Sequence, residues 1–289
     1  MNDFLKVCAP AKLNLFLHVV GQRADGYHLL QSIFQLIDLE DTVLLKTTND
    51  GQITRLNPLN SVPSEDDLIV KAARLLQQTY DIKLGADLDL IKKIPMGAGL
   101  GGGSSDAAST LLGLNHLWQT GLNKAQLSAL GLQLGADVPF FINGHTAFVE
   151  GIGEEIQTIK PEQHTFFIIY PGVGIPTVEI FKDPRLTRSH ARITISDLVE
   201  YDFRNGLFNN DLEPVVIRKH PEVGVAKEWL LNNIHGSHPR MSGSGSTVFT
   251  EIPENLNANQ LLSLAPKHWT CFVVRGLLQH PSYNLVPSQ

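Results

Sequence analysis

Cysteine is nearly absent. The 289 residues hold two, Cys8 and Cys271, far apart and with no C-x-x-C pair. That argues against the common zinc and dithiol signatures and fits a reducing compartment. A basic surplus is absent too: 23 Lys and Arg against 29 Asp and Glu leave a net charge of −6. General nucleic-acid binding is therefore disfavoured, while a local basic pocket for a phosphorylated small molecule remains open. No apolar run reaches the roughly 18 residues needed to span a bilayer. The opening MNDFLKVCAPAKLNLFLHVV lacks a basic segment followed by an unbroken apolar core, so it does not read as a secretory signal. Internal repeats and low-complexity tracts are also missing. The expectation is a cytoplasmic protein with neither nucleic acid nor membrane as partner. The 43% hydrophobic content suffices for a packed core, and the length allows one large domain or two modest ones.

Residues 11–20, AKLNLFLHVV, alternate. Period two predicts a strand with Leu13, Leu15, Leu17 and Val19 on one side and Lys12, Asn14, Phe16 and His18 on the other. Asp25-Gly26 marks a turn, SIFQLIDLEDTVLL at 32–45 a second strand, and NDGQ at 49–52 a hairpin turn. A helix is predicted from Ser64 as N-cap, with acids in its first turn and a stripe of Leu68, Ala72, Leu75 and Leu76. ADLDLIKKIP at 86–95 reads as a strand running into a glycine-rich loop. From Ser105 the pattern is helical, with Ala108, Leu111, Leu112, Asn115 and Trp118 at helical spacing. A further helix, 124–135, ends at Gly135 as a left-handed cap. Residues 136–156 read as loop and strand. Polar residues 156–165 suggest a domain boundary near 157, and the mixed helices and strands beyond it suggest an α+β layer.

The loop itself, PMGAGLGGGSSDAAS at 95–109, has five glycines between Gly97 and Gly103. Strand, glycine loop and helix form the geometry of a phosphate site, because free N–H groups of a helix's first turn face the anion. A Walker A loop is excluded, since Gly103 and not lysine precedes the serines. Gly97, Gly99 and Gly102 fit G-x-G-x-x-G, but the following helix leads to another helix rather than a second parallel strand. A flexible linker does not fit between an amphipathic strand and an amphipathic helix.

Pro95, Gly99-Leu100-Gly101, Ser104-Ser105 and Ala107-Ala108 resemble the P-x-x-x-G-L-G-S-S-A-A motif of the galactokinase–homoserine kinase–mevalonate kinase–phosphomevalonate kinase (GHMP) superfamily, with two extra glycines before the serines. APAKLNLFL at 9–17 and RMSGSGSTVF at 240–249 resemble its other two motifs. RADGYHLLQSIFQ at 23–35, the 135–154 stretch and PGVGIPTVEIFKD at 171–183 are similar to the branch that acts on a cytidine-diphosphate-linked methylerythritol. The resemblance runs from about residue 7 to residue 275. It implies an α+β two-domain GHMP kinase fold: a ribosomal-protein-S5-domain-2-like α/β domain over 1–156 and a ferredoxin-like α+β domain over 157–289. It implies ATP and Mg²⁺ as cofactors, and phosphorylation of the substrate's 2-hydroxyl on the non-mevalonate route to isoprenoid precursors. The expected assembly is a monomer or weak homodimer.

Under that resemblance the ATP cradle comprises Pro95, Met96, Gly97, Ala98, Gly99, Leu100, Gly101, Gly102, Gly103, Ser104 and Ser105. The loop carries no lysine, so its cation comes from elsewhere, and Lys12 is the candidate. It shares a strand face with Asn14, about 6.5–7 Å along. Without the resemblance a solvent-facing lysine is the plainer reading. Asp137 precedes Val138-Pro139, which predicts extended backbone; alone, it reads as a turn former. The resemblance makes Lys12 and Asp137 the catalytic pair, with the aspartate as general base and the lysine holding it ionised and oriented. Asp106 is read chiefly as a first-turn acid favoured by the helix dipole, with water-mediated contact to Mg²⁺ as the alternative. Ser105, and with it Ser104, is either a Mg²⁺ ligand or a helix cap. For the cytidine end the candidates are Tyr27 and His28 as plate and edge reader, Phe181 as the opposite plate, Thr177 near the ribose or base, and Asn14 at the substrate. The role of His18 stays open. FNNDLEPVV at 208–216 suggests a structural capping box of Asn210 with Glu213.

Overall fold

The computed structural model describes residues 4–58, 62–63, 65–160, 162–200, 208–253 and 255–285. Two long strands open the chain. β1 (Leu5–Gln22) and β2 (His28–Thr48) pair antiparallel from Leu5↔Leu45 to Gln22↔His28. The expected alternation along β1 holds only in pieces, because the register shifts between Asn14 and Leu17. An extra residue there swaps the faces downstream. Phe16 therefore joins Leu13 and Leu15 in one core cluster, while Leu17 and Val19 enter another.

NDGQ does turn the chain, but not into a hairpin. β3 (Ile53–Arg55) pairs in parallel with β4 (Gly85–Ile91), and β4 lies between β3 and β2. Parallel neighbours need a crossover, and α1 (Leu68–Thr79) supplies it. Asp67 caps that helix by accepting from Ile69 N at 3.1 Å. Ser64 lies outside the described residues, and Asp66 and Asp67 precede the helix instead of filling its first turn. Ile69, Val70, Ala72, Ala73 and Leu76 form its buried side.

α2 (Gly102–Leu117) begins three residues before Ser105, after Gly101 in the left-handed region (φ 69°). It is buried continuously from Ser105 to Asn115, as the central helix of this half must be. α3 (Lys124–Leu134) is capped reciprocally by Asn123 and Gln126. It ends at Gly135, whose φ of 168° is extended and not the expected left-handed cap. The chain passes at once into another helix, α4 (Val138–Asn143), where loop was expected. Pro139 misled the reading: in a first turn its missing N–H costs nothing. Asp137 consequently has helical backbone (φ −82°, ψ −14°), not extended. β5 (Ala147–Glu150) pairs with β2 and with β6 (Glu155–Thr158).

The second half runs β7 (Thr165–Tyr170), α5 (Thr177–Phe181), α6 (Ile195–Glu200), α7 (Glu213–Lys219), α8 (Pro221–Asn233), β8 (Arg240–Met241), β9 (Val248–Glu251), α9 (Ala258–Leu264) and β10 (Thr270–Leu277). Its four strands lie in the order β10-β7-β9-β8, all antiparallel. Counted along the chain that is 4-1-3-2, with helices between the first and second and between the third and fourth, which is the ferredoxin-like arrangement. β10 also pairs with β2 at Gly276↔Ile37, so the sheets of the two halves are continuous. Among the described residues no helix is long and apolar enough to cross a membrane.

The capping box at Asn210 is not formed. Leu212 is the N-cap of α7. Asn210 instead donates to Met241 O (2.8 Å) and Gly243 O (2.7 Å), and the Glu213 carboxylate accepts from Met241 N (2.9 Å) and from Lys227. Asn210 Oδ1 still accepts from Leu212 N (2.9 Å) at the entry to α7, while its amide nitrogen and the Glu213 carboxylate fix the turn after β8, which borders the cavity described next.

Candidate active site

Three segments distant in sequence are pinned together at the glycine loop. Lys12 N donates to Leu100 O (3.0 Å) and Thr247 N to Ala98 O (3.2 Å). Ser242 Oγ donates to Gly99 O (2.9 Å) and accepts from Asn14 N (3.1 Å). Glycine is required where these strands of backbone meet. Gly99 has φ 76°, and a Cβ there would lie 2.2 Å from Ser242 O. Gly101 has φ 69°, with the Lys12 stem 3.1 Å from such a Cβ. Gly99→Ala is expected to cost about 1–3 kcal/mol and to raise KM for ATP as the two loops separate. Gly26→Ala, at φ 89° but with nothing within 4 Å, isolates the backbone share; urea melts of both variants check the difference.

A cavity of about 570 Å³ opens over this junction. Every loop residue from Pro95 to Ser104 lines it, together with Lys12, Asn14, Lys92, Asp106, Asp137, Thr177 and Phe181. Ser105 does not: it is fully buried, and its Oγ has no partner. No side chain caps the start of α2, so its first-turn N–H groups and positive dipole end are free for an anion.

Lys12 is buried, and its Nζ lies 3.7 Å from Asp137 Oδ2. It donates to Asn14 Oδ1 and sits 4.7 Å above the Phe34 ring. Burial lowers its pKa, and the Asp137 carboxylate opposes that. Asp137 occupies the N-cap position of α4 without making a cap bond, which leaves its oxygens facing the lysine and the cavity. The β1 register shift decides the neighbours. Leu17 lines the cavity with Lys12 and Asn14, whereas His18 turns away onto Phe16 (4.7 Å) and stacks on His190 (3.5 Å). The expectation that His18 shares the face of Lys12 is thus corrected.

A second cation, missed in the sequence, borders the loop. Lys92 Nζ bonds Asp41 Oδ2 (2.6 Å) and Asp106 Oδ2 (2.7 Å). Asp41, fully buried, also accepts from Lys93 N (2.5 Å) and Ile94 N (2.9 Å), fixing where the loop departs. Asp106 stands in the second turn of α2, not the first, so its partner is this lysine and not the helix dipole. Burial pushes the Asp106 carboxyl up to about 7, against the pull of Lys92. Burial also works to lower the Lys92 pKa, but Asp106 and Asp41 outweigh it and raise it. The adjacent pair Lys92-Lys93 just before the loop was the available signal.

At the other end Thr177 Oγ1 and Ser244 Oγ are 2.7 Å apart on the cavity wall. His28 stacks on Phe181 (4.9 Å between rings) at the rim, outside the lining. Tyr27 is 60% exposed and also outside it. The structure therefore brings His28 and Phe181 together and leaves Tyr27 apart. Ser244, Lys92 and Asp41 were not anticipated.

Fold and cradle define an ATP-dependent kinase of the GHMP class: the model of the GHMP kinases' N terminal domain matches residues 67–145, and that of their C terminal matches residues 191–270. The chain is 55% identical to the 4-diphosphocytidyl-2-C-methyl-D-erythritol kinase of Polynucleobacter asymbioticus, over 98% of this chain and 97% of that one. It is 48% identical to the like-named kinase of Azoarcus sp., over 96% of each. A crystal structure of 4-(cytidine 5'-diphospho)-2C-methyl-D-erythritol kinase, 30% identical, superposes with a TM-score of 0.78 over 94% of this chain and 100% of that one. The chain belongs to the 4-diphosphocytidyl-2-C-methyl-D-erythritol kinase family.

Proposed function

We propose that the chain transfers the γ-phosphoryl of ATP to the 2-hydroxyl of 4-diphosphocytidyl-2-C-methyl-D-erythritol, with residues 95–104 holding the triphosphate and Asp137 taking the hydroxyl proton. One observation carries the reading: the glycine cradle and the Lys12–Asp137 pair line the same cavity. Phosphoryl transfer needs the phosphate held in line, its charge balanced and the acceptor oriented. The loop amides and the α2 terminus serve the first need. Lys12, beside Gly101, serves the second and orients Asp137. Asp137 serves the third.

Mg²⁺ accompanies ATP in this reading and neutralises phosphate charge. Such an ion draws most of its shell from phosphate and water. The cavity wall offers it the Ser104 hydroxyl and the edge of Asp106, whose Oδ1 is buried and has no partner. Among the described residues no group of three or more His, Cys, Asp or Glu side chains is placed to hold a metal ion.

ADP release on mixing protein, ATP, Mg²⁺ and the cytidyl substrate tests the proposal. Turnover of mevalonate or homoserine in its place would refute it. Phe181→Ala is expected to raise KM for the cytidyl substrate about 5–100-fold, the loss of one base stack, with a much smaller fall in kcat; steady-state kinetics with each substrate varied separates the two.

A further inference from the structure

Asp137 starts α4 without a cap bond, and Lys12 Nζ lies 3.7 Å from its carboxylate. That is beyond close hydrogen-bond contact, so the pair does not fix its own separation. The elements that carry it do. α4 is six residues long and ends at Gly144, and there residues 279–283 cross it. His280 N donates to Gly144 O (2.8 Å), and Gln279 bridges to His145. Gly144 is left-handed (φ 77°), and a Cβ on it would lie 2.9 Å from the Tyr283 ring, so the ring sits directly on the helix end. His145 meets the same ring edge to face, at 4.6 Å. Lys124 completes the joint: its Nζ lies 2.9 Å from the Tyr283 ring centroid and donates to Asn143 O (3.4 Å). Lys124 opens α3, where an ammonium opposes the helix dipole. At the end of α4 the same charge meets a terminal carbonyl and an aromatic face, both favourable to it.

The same segment also holds β1. Ser282 Oγ accepts from Cys8 N (3.2 Å), just before Lys12 on that strand, and Ser109 of α2 donates to Cys8 O (2.8 Å). Ser282 N donates to His280 Nδ1 (3.0 Å) and closes the turn. His280 is buried; burial and nearby Lys124 push its pKa down to about 3, so the ring accepts as the neutral imidazole. Residues 280–283 thus bridge the strand that carries Lys12 and the helix that carries Asp137, and none of them lines the cavity.

We propose that Tyr283 is a positioning residue for the catalytic pair: with His280, Ser282 and Lys124 it fixes the far end of α4 against β1 and so sets the Lys12–Asp137 separation. The inference rests on the kinase reading above, in which that pair acts on the acceptor hydroxyl, and extends it to side chains that touch no substrate atom.

Tyr283→Ala and Tyr283→Phe test it. Tyr283→Ala is expected to lower kcat about 10–100-fold, the scale of a misplacement of about 1 Å at the reacting groups. KM for ATP and for the cytidyl substrate should stay within about twofold, because Thr247 and Ser242 anchor the cradle independently. The alkaline limb of the kcat profile should move to lower pH. Burial lowers the Lys12 pKa and Asp137 opposes it, so a retreating carboxylate lets burial prevail. Tyr283→Phe keeps the ring against Gly144 and should turn over within about threefold of wild type. Crystal structures of both variants read the Lys12 Nζ–Asp137 Oδ2 distance, which should depart from 3.7 Å in Tyr283→Ala alone. A folded Tyr283→Ala that keeps wild-type kcat or the wild-type separation overturns the proposal, and a Phe variant as slow as the Ala variant overturns the assignment to the ring. If Tyr283→Ala does not fold, Lys124→Met, which strips the ammonium from the ring and from Asn143 O, should show the same fall in kcat at steady KM with smaller amplitude; wild-type kcat there overturns the proposal. A wild type that releases no ADP removes the kinase reading, while the distance in the variants still tests the positioning.

Discussion

Asp137→Asn is expected to lower kcat about 10²–10⁴-fold, the usual contribution of a positioned general base, with little change in affinity for either substrate. Asparagine keeps the shape of the side chain and its place at the start of α4, where Asp137 makes no cap bond that could be lost. What disappears is an oxygen able to take a proton, 3.7 Å from the Lys12 ammonium. Lys12 keeps its bond to Asn14 Oδ1 but loses its counter-ion in a buried setting, so its pKa falls further. That adds to the kinetic loss and not to any loss of nucleotide binding, since the amides of the loop are untouched. Asp137→Glu, which retains the carboxylate one methylene further out, should recover part of the rate. Single-turnover kinetics with both ligands saturating is the measurement. A variant that binds both ligands and turns over within about threefold of wild type would show that the hydroxyl proton goes elsewhere.

The parts of this site that could be read in the chain are those whose chemistry is local. The glycine loop announces itself through composition, and Lys12 through its motif. The pattern of the C-terminal strands disclosed only an α+β class; their ferredoxin-like 4-1-3-2 order followed from the family resemblance, because it depends on pairings such as Phe167↔Thr250 and Val273↔Phe167 across long stretches of sequence. Two errors had a single physical source each. A register shift inside β1 exchanged the faces of Leu17 and His18, and no periodicity count detects one extra residue. Val138-Pro139 predicts extended chain, yet proline is equally at home in the first turn of a helix, which is where α4 has it. Asp41 was invisible for another reason. In LEDTVLL it looks like one more strand carboxylate, yet it is fully buried, because the backbone of Lys93 and Ile94, more than fifty residues on, closes over it.

That burial sets the second large effect. Lys92→Met is expected to destabilise the nucleotide-free protein by about 3–5 kcal/mol at neutral pH, the cost of removing one partner from a buried ion pair. Here the loss is felt twice, since Asp41 and Asp106 share the one ammonium. Two carboxylates against one lysine already leave a surplus negative charge, and burial pushes Asp106 up to about 7. Without Lys92 the Asp106 carboxyl rises further. The folded variant then holds more protons than its unfolded chain from the ordinary carboxylate range up through the raised folded value, so its unfolding free energy falls as pH increases across that window. The destabilisation should accordingly be smaller at pH 5 than at pH 8, and urea melts at both values measure it. A penalty that grows toward acid would contradict a buried excess of carboxylate. Asp41 also holds the amides that begin the loop, and in the variant it loses the ammonium that steadies it, which weakens the anchor of the cradle. A rise in KM for ATP is expected to accompany the loss of stability even where the protein remains folded.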